Sequence, residues 1–152
     1  MQKITSFLTF VDQAEAAMNF YVSIFKNSKI VSVTRYGAEG ALLTGSFELE
    51  GQPFIALNGG PSFTFSNGIS LFVNCETQAE VDELWEKLSA GGEQQPCGWL
   101  KDKFGISWQI IPTALGELMN DPDPQKAQSV MQAMLQMSKI EIKKLQEAHA
   151  HS

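Results

Sequence analysis

The sequence predicts an α+β fold in which one strand–helix–strands module is used twice. Three observations predict it. A strand-like run followed by a helix opening at residues 4–15 recurs at residues 69–80, an offset of 65 positions. The two helices that follow carry matched apolar stripes, with Phe20 falling opposite Trp85 at that offset. After each helix come short apolar or β-branched segments broken by glycine, the pattern of strands joined by turns. Self-similarity of this kind constrains the architecture before any single motif does.

Taken in order, residues 4–10 (ITSFLTF) have strand composition, and Asp12-Gln13-Ala14-Glu15 opens a helix through Phe20, Tyr21 and Phe25. Residues 69–75 (ISLFVNC) repeat the strand, and Thr77-Gln78-Ala79-Glu80 opens a helix through Leu84, Trp85 and Leu88. Asp12 and Thr77 are expected N-caps, with Glu15 and Glu80 bonding back to the cap N–H, which would satisfy donors otherwise left orphaned. Residues 29–36, 43–49 and 53–58 read as three strands, separated by Gly37, Gly40 and Glu50-Gly51. In the second half Gly91-Gly92 closes the helix, a short strand lies near 93–95 or 97–101, and residues 107–111 form the last.

The tail departs from the repeat. Pro112-Thr113 ends the last strand, a short helix is expected around residues 115–119, and Asp123 caps a longer one with Pro124 at its first position. Ile140, Ile142 and Leu145 give a further apolar stripe after a break near Ser138. One domain over residues 1–152 is expected, with module one at about 3–58, a linker at 59–67, module two at 68–112 and a helical extension at 113–148. The extension is expected to pack on its own subunit, and its methionine-rich face suits a homodimer contact.

Composition narrows the function. A chain of 152 residues with 43% hydrophobic and 18% charged residues is long enough to bury a core. A net charge of -6, with no basic run, excludes nucleic acid and anionic membrane as natural partners and leaves a small molecule. No stretch approaches the ~20 apolar residues of a membrane span, and the start has no signal-peptide layout, so a cytoplasmic protein is expected. Cys75 and Cys97 are too few for a disulfide framework and have no neighbouring His or Cys for zinc.

The repeat, the Phe20-Tyr21 pair on the first helix and the Asp102-Lys103-Phe104-Gly105 turn before the last strand together resemble the vicinal oxygen chelate superfamily of glyoxalase, bleomycin-resistance and dioxygenase proteins. The stretches AEAAMNFY at 14–21, CGWLKDKFG at 97–105, WQIIP at 108–112 and VMQAM at 130–134 are similar to its PhnB-like branch, often labelled demethylubiquinone methyltransferase. The resemblance covers nearly the whole chain. It implies two βαβββ modules forming a curved, cleft-enclosing mixed sheet, with C-terminal helices.

It also locates the chemistry. Metal-dependent members place His and Glu on inward positions of the first and last strand of each module, because a Lewis-acidic ion needs several hard ligands and open sites. The corresponding places here are Thr5 and Ser6, Gly68 to Ser70, Ala56 and Asn58, and Gln109, which stands where the superfamily carries Glu. The two histidines, His149 and His151, fall in the last four residues, in what reads as a solvated tail. No metal and no cofactor are therefore expected. Methyl transfer is not supported by a glycine-rich strand-to-helix loop, since Gly59-Gly60-Pro61 precedes a polar linker.

The remaining candidates cluster near the last strand. Cys97 is a candidate nucleophile that would need Lys101 or Lys103 to lower its pKa, against an inert thiol. Asp102 is a candidate general base, against a turn residue bonding its own backbone. Phe7, Thr9, Trp99, Trp108 and Gln109 are the candidate ligand-binding residues, Phe7 and Thr9 sharing one face of the first strand. The expected function is metal-independent binding of a small, partly apolar molecule in a cleft between the modules, and the alternative is an enzyme acting through residues between Cys97 and Gln109.

Overall fold

The computed structural model describes residues 2–37 and 39–152. The chain divides into two compact units, Met1–Phe65 and Ser66–Ser152. The first unit runs β1 (Ser6–Phe10), α1 (Ala14–Ile24), β2 (Lys29–Arg35), β3 (Leu42–Leu49) and β4 (Gln52–Asn58). The second runs β5 (Ser70–Cys75), α2 (Gln78–Ser89), β6 (Glu93–Gln94), a 3₁₀ turn (Pro96–Gly98), β7 (Trp99–Lys101) and β8 (Ser107–Pro112). Three helices follow: α3 (Thr113–Met119), α4 (Pro124–Met134) and α5 (Ile142–Ala150).

The expectation of one curved, cleft-enclosing sheet is corrected here. The strands form two separate four-stranded mixed sheets, ordered β1-β4-β3-β2 and β5-β8-β7-β6. In each unit the last long strand inserts beside the first in parallel, and the remaining pairs are antiparallel. Pairing within a module satisfies the backbone over short loops, where the entropy of closure is low. The joined sheet came with the family resemblance, whereas alternation and turn residues specify only the pairing inside each repeat.

Each sheet buries one face under its helix. In the first unit Phe54 and Ala56 alternate inward with Gly45 and Phe47, and a methyl added at Gly45 would lie 2.5 Å from Met18 Cε. Tyr21, Phe47 and Phe54 then stack in series, with centroids 6.4 and 5.3 Å apart. In the second unit Val81, Leu84, Trp85 and Leu88 of α2 are buried, as are Leu100, Trp108 and Ile110 on the sheet. Each such side chain contributes about 1.5–3 kcal/mol when fully withdrawn from water. A third cluster, Ile111, Leu115, Val130, Met137, Ile140 and Leu145, joins the end of β8 to the three C-terminal helices.

The helix starts differ from expectation in an instructive way. Thr77 caps α2, its hydroxyl accepting from Glu80 N–H at 3.2 Å, and Glu80 Oε1 accepts from Glu76 N–H at 2.9 Å. Asp12 does not cap α1. Asn58 Oδ1, brought to the helix entry by the parallel β1–β4 pairing, accepts from Ala14 N–H at 2.8 Å, and Glu15 pairs with Arg35 on β2. A long-range partner thus replaces the local one. His149 is also no loose tail: it lies in the last turn of α5, with Nε2 2.8 Å from Asp121 Oδ2. The Asp123 N–H and His149 hold the Asp121 carboxyl below its ordinary range.

Candidate functional site

The second sheet leaves one face free of α2, and alternation decides which side chains occupy it. Phe72 on β5 pairs with Gln109 on β8, and Gln109 pairs with Trp99 on β7. The three therefore stand in one row across adjacent strands, an amide between two aromatic rings. Paired side chains on one sheet face lie about 5 Å apart, close enough to form a continuous floor.

The C-terminal helices turn that floor into a cavity of about 560 Å³, within the range of small-molecule sites. Phe72, Trp99 and Gln109 line it with Cys97, Met119 and Met134, and α3 adds Leu115 and Glu117 to the wall. The lining lies wholly within the second unit. The helices are held in place by Gln78 of α2, whose Nε2 donates to Ile140 O at 3.0 Å while its Oε1 accepts from Ile142 N–H at 2.7 Å. From the other side, the Cys97 and Gly98 N–H groups donate to Met137 O and Ser138 O, each at 2.8 Å.

Gln109 Nε2 donates to Ser70 Oγ at 2.9 Å. A hydroxyl and an amide bonded to each other are neutral, weak ligands for a divalent ion. Among the described residues no group of three His, Cys, Asp or Glu side chains gathers as a metal site would require. In the first unit the counterpart of Gln109 is Ile55, which pairs with Phe7 as Gln109 pairs with Phe72. The sequence reading placed Ala56 and Asn58 on that face, and the register corrects it by one residue: Ala56 is fully buried on the helix side, and Asn58 caps α1. A one-residue shift sends every side chain of a strand to the other face.

The other candidates separate. Phe7 and Thr9 lie in the first unit, Phe7 being 53% exposed, and neither lines the cavity. Trp108 is buried on the α2 side of the sheet, opposite to its neighbour Gln109. Asp102, 2% exposed, accepts from Phe104 and Ile106 N–H at Oδ1 (2.9 and 3.0 Å) and from the Trp108 indole at Oδ2 (2.8 Å). Its oxygens face these local donors, and it too is absent from the cavity lining. Cys97 does reach the cavity, in a left-handed conformation (φ 64°), but among the lining residues there is no Lys, Arg or His to favour a thiolate.

Sequence reasoning missed Phe72, Glu117, Met119 and Met134. The signal for Phe72 was present, since the 65-residue offset sets it opposite Phe7, itself a candidate. The helix residues carried no such mark, because the cavity wall depends on how α3 and α4 dock.

The two thiols are expected to respond differently to labelling. Burial, and then the Glu80 carboxylate, push the Cys75 thiol up to about 12. A thiol reagent at about pH 8.5, near the ordinary thiol pKa, should modify Cys97 alone in the native protein and both cysteines in denaturant. The folded state retains the Cys75 proton that the unfolded chain releases, so stability should decline as pH rises from ~8.5 towards 12. Prompt labelling of Cys75 without denaturant would contradict the burial described.

A family model described as 3-demethylubiquinone-9 3-methyltransferase matches residues 2–111. A PhnB protein from Bacillus cereus, which carries the same methyltransferase name, is 40% identical over 73% of this chain and 99% of its own, with a TM-score of 0.69. A protein from Pseudomonas aeruginosa is 19% identical, covering 74% of this chain and 98% of its own, with a TM-score of 0.62. A fosfomycin resistance protein from Listeria monocytogenes, solved with Mn(II) and sulfate, is 20% identical over 71% and 90% of the two chains, with a TM-score of 0.50. The last two share the fold. No curated protein matches the chain.

Proposed function

Because the chain belongs to the family described as 3-demethylubiquinone-9 3-methyltransferase, which it shares with a PhnB protein, we propose that it binds a small, partly apolar molecule without a metal, in the cavity of its second unit. The observation that carries this reading is the Phe72–Gln109–Trp99 row beneath Met119 and Met134. Aromatic faces and adaptable thioethers suit an apolar body, and one amide fixes its orientation. The cavity replaces the cleft between modules as the proposed location.

Methyl transfer, which the family name describes, has less support in these residues. A methyl donor carrying a nucleoside is commonly held by a glycine-rich loop that leads from a strand into a helix. Here Gly59 and Gly60 follow β4 and lead through turns to β5, with no helix between. Fold kinship alone does not carry an activity across.

The test is titration of a neutral, environment-sensitive dye such as Nile red. Saturable binding is expected, indifferent to a chelator, and weakened about tenfold by Trp99→Ala, the equivalent of ~1.4 kcal/mol of lost ring contact. Binding abolished by the chelator, or unmoved by Trp99→Ala, would overturn the reading. Tight stoichiometric binding of S-adenosylmethionine would favour methyl transfer instead.

A further inference from the structure

We infer that the ligand carries a cationic amine on its apolar body, an inference that rests on the cavity reading above. Glu117 is the carboxylate in the lining, and among the lining residues there is no Lys, Arg or His to oppose it. Its carboxylate makes no ion pair or hydrogen bond with another described residue, so its charge is uncommitted. Lys101, two residues along β7 from Trp99 and so on the same face of the sheet, lies outside the lining.

The floor favours the same sign. Phe72 and Trp99 present aromatic rings, whose faces attract a cation and repel an anion. Gln109 donates one Nε2–H to Ser70, so it offers the ligand Oε1, an acceptor, beside its one remaining neutral N–H. An ammonium or a protonated ring nitrogen donates to that oxygen, whereas a carboxylate or phosphate has nothing to give it. An anion entering here would shed water without gaining a charged donor, and such desolvation is costly. The chain's net charge of -6 adds a weak long-range bias in the same direction.

Three matched probes separate charge from shape: tryptamine, tryptophol and indolepropionate, which share an indole and differ at the end of the side arm. Calorimetry at low salt and neutral pH should find tryptamine tightest, about fivefold over tryptophol and about tenfold or more over indolepropionate. Glu117→Gln should lower the tryptamine-to-tryptophol ratio to about twofold or less, the remainder being what the aromatic floor contributes. Glu117 is exposed and has no partner to lose, so the fold should tolerate the change. Added salt should lower the tryptamine preference in the unmodified protein, a measurement that needs no variant. If tryptophol binds and tryptamine binds no tighter, or indolepropionate matches it, the amine inference fails while the cavity reading stands. If Nile red binds and none of the three does, the amine inference fails while the cavity reading stands; if the dye does not bind either, the cavity reading fails and takes the inference with it.

Discussion

Asp102→Ala should lower the stability of the protein by about 3–5 kcal/mol, a large share of what a domain of this size possesses. The side chain is a structural hub. Its Oδ1 accepts from Phe104 and Ile106 N–H across the β7–β8 turn, and its Oδ2 accepts from the Trp108 indole at 2.8 Å. The backbone closes the same turn, with Asp102 N–H donating to Ile106 O at 2.8 Å and Gly105 N–H to Asp102 O at 3.0 Å. Truncation would leave the buried Ile106 N–H and Trp108 indole N–H without the acceptor they have here, each costing ~1–3 kcal/mol.

Asp102→Asn separates a structural role from a catalytic one. The amide retains one acceptor oxygen, but whichever way it is turned an N–H₂ group faces either the indole N–H or the turn amides. A loss of about 2–3 kcal/mol is expected from that donor–donor conflict. Urea denaturation followed by tryptophan fluorescence measures both variants. A general base would behave in the opposite way: the Asn variant would keep its denaturation midpoint and lose turnover. Unchanged midpoints for both variants would show that the carboxylate does not organise the turn.

The sequence carried the repeat because each half obeys local rules that a short window exposes. A strand, a helix opening on Gln-Ala-Glu and a set of glycine-punctuated strands can be read from alternation and turn chemistry, and Glu50 and Gly51, both at positive φ (51° and 80°), form the tight β3–β4 turn expected of them. What escaped was set by partners far along the chain. Asn58 capping α1 and Arg35 taking Glu15 both depend on pairings that no window contains. The same limit governed the site. Gln109, Trp99 and Cys97, which crowd one segment of the sequence, come together in the cavity lining, whereas Trp108, adjacent to Gln109 on the strand, faces the opposite way, and nothing in the sequence marks the α3 and α4 wall. The face of β4 that carries Ile55 was read one residue out of register, as Ala56 and Asn58, and Phe7 and Thr9 lie in the first unit, outside the cavity lining.

Gly98→Ala should destabilise the protein by about 2–4 kcal/mol and weaken dye binding in the cavity more than the loss of fold alone explains. Gly98 sits at φ 82°, where a side chain costs ~1 kcal/mol or more before any contact is counted. An added Cβ would stand 2.8 Å from Ile111 Cδ1, 3.0 Å from Ile140 Cγ1 and 3.1 Å from the Ile110 carbonyl oxygen. Neither isoleucine can swing away freely, since both are buried in the cluster that joins β8 to the C-terminal helices. The backbone has equally little room, because the Cys97 and Gly98 N–H groups are bonded to Met137 and Ser138 in the α4–α5 connection. The methyl therefore acts as a wedge between the sheet and the helical extension. Met134 and Cys97, on either side of that joint, both line the cavity, so a shift there changes its shape directly. Denaturation gives the stability term, and dye titration well below the unfolding midpoint gives the binding term with the fold intact. A variant with native stability would mean the joint yields easily; one that loses stability but binds dye normally would mean the extension does not shape the cavity.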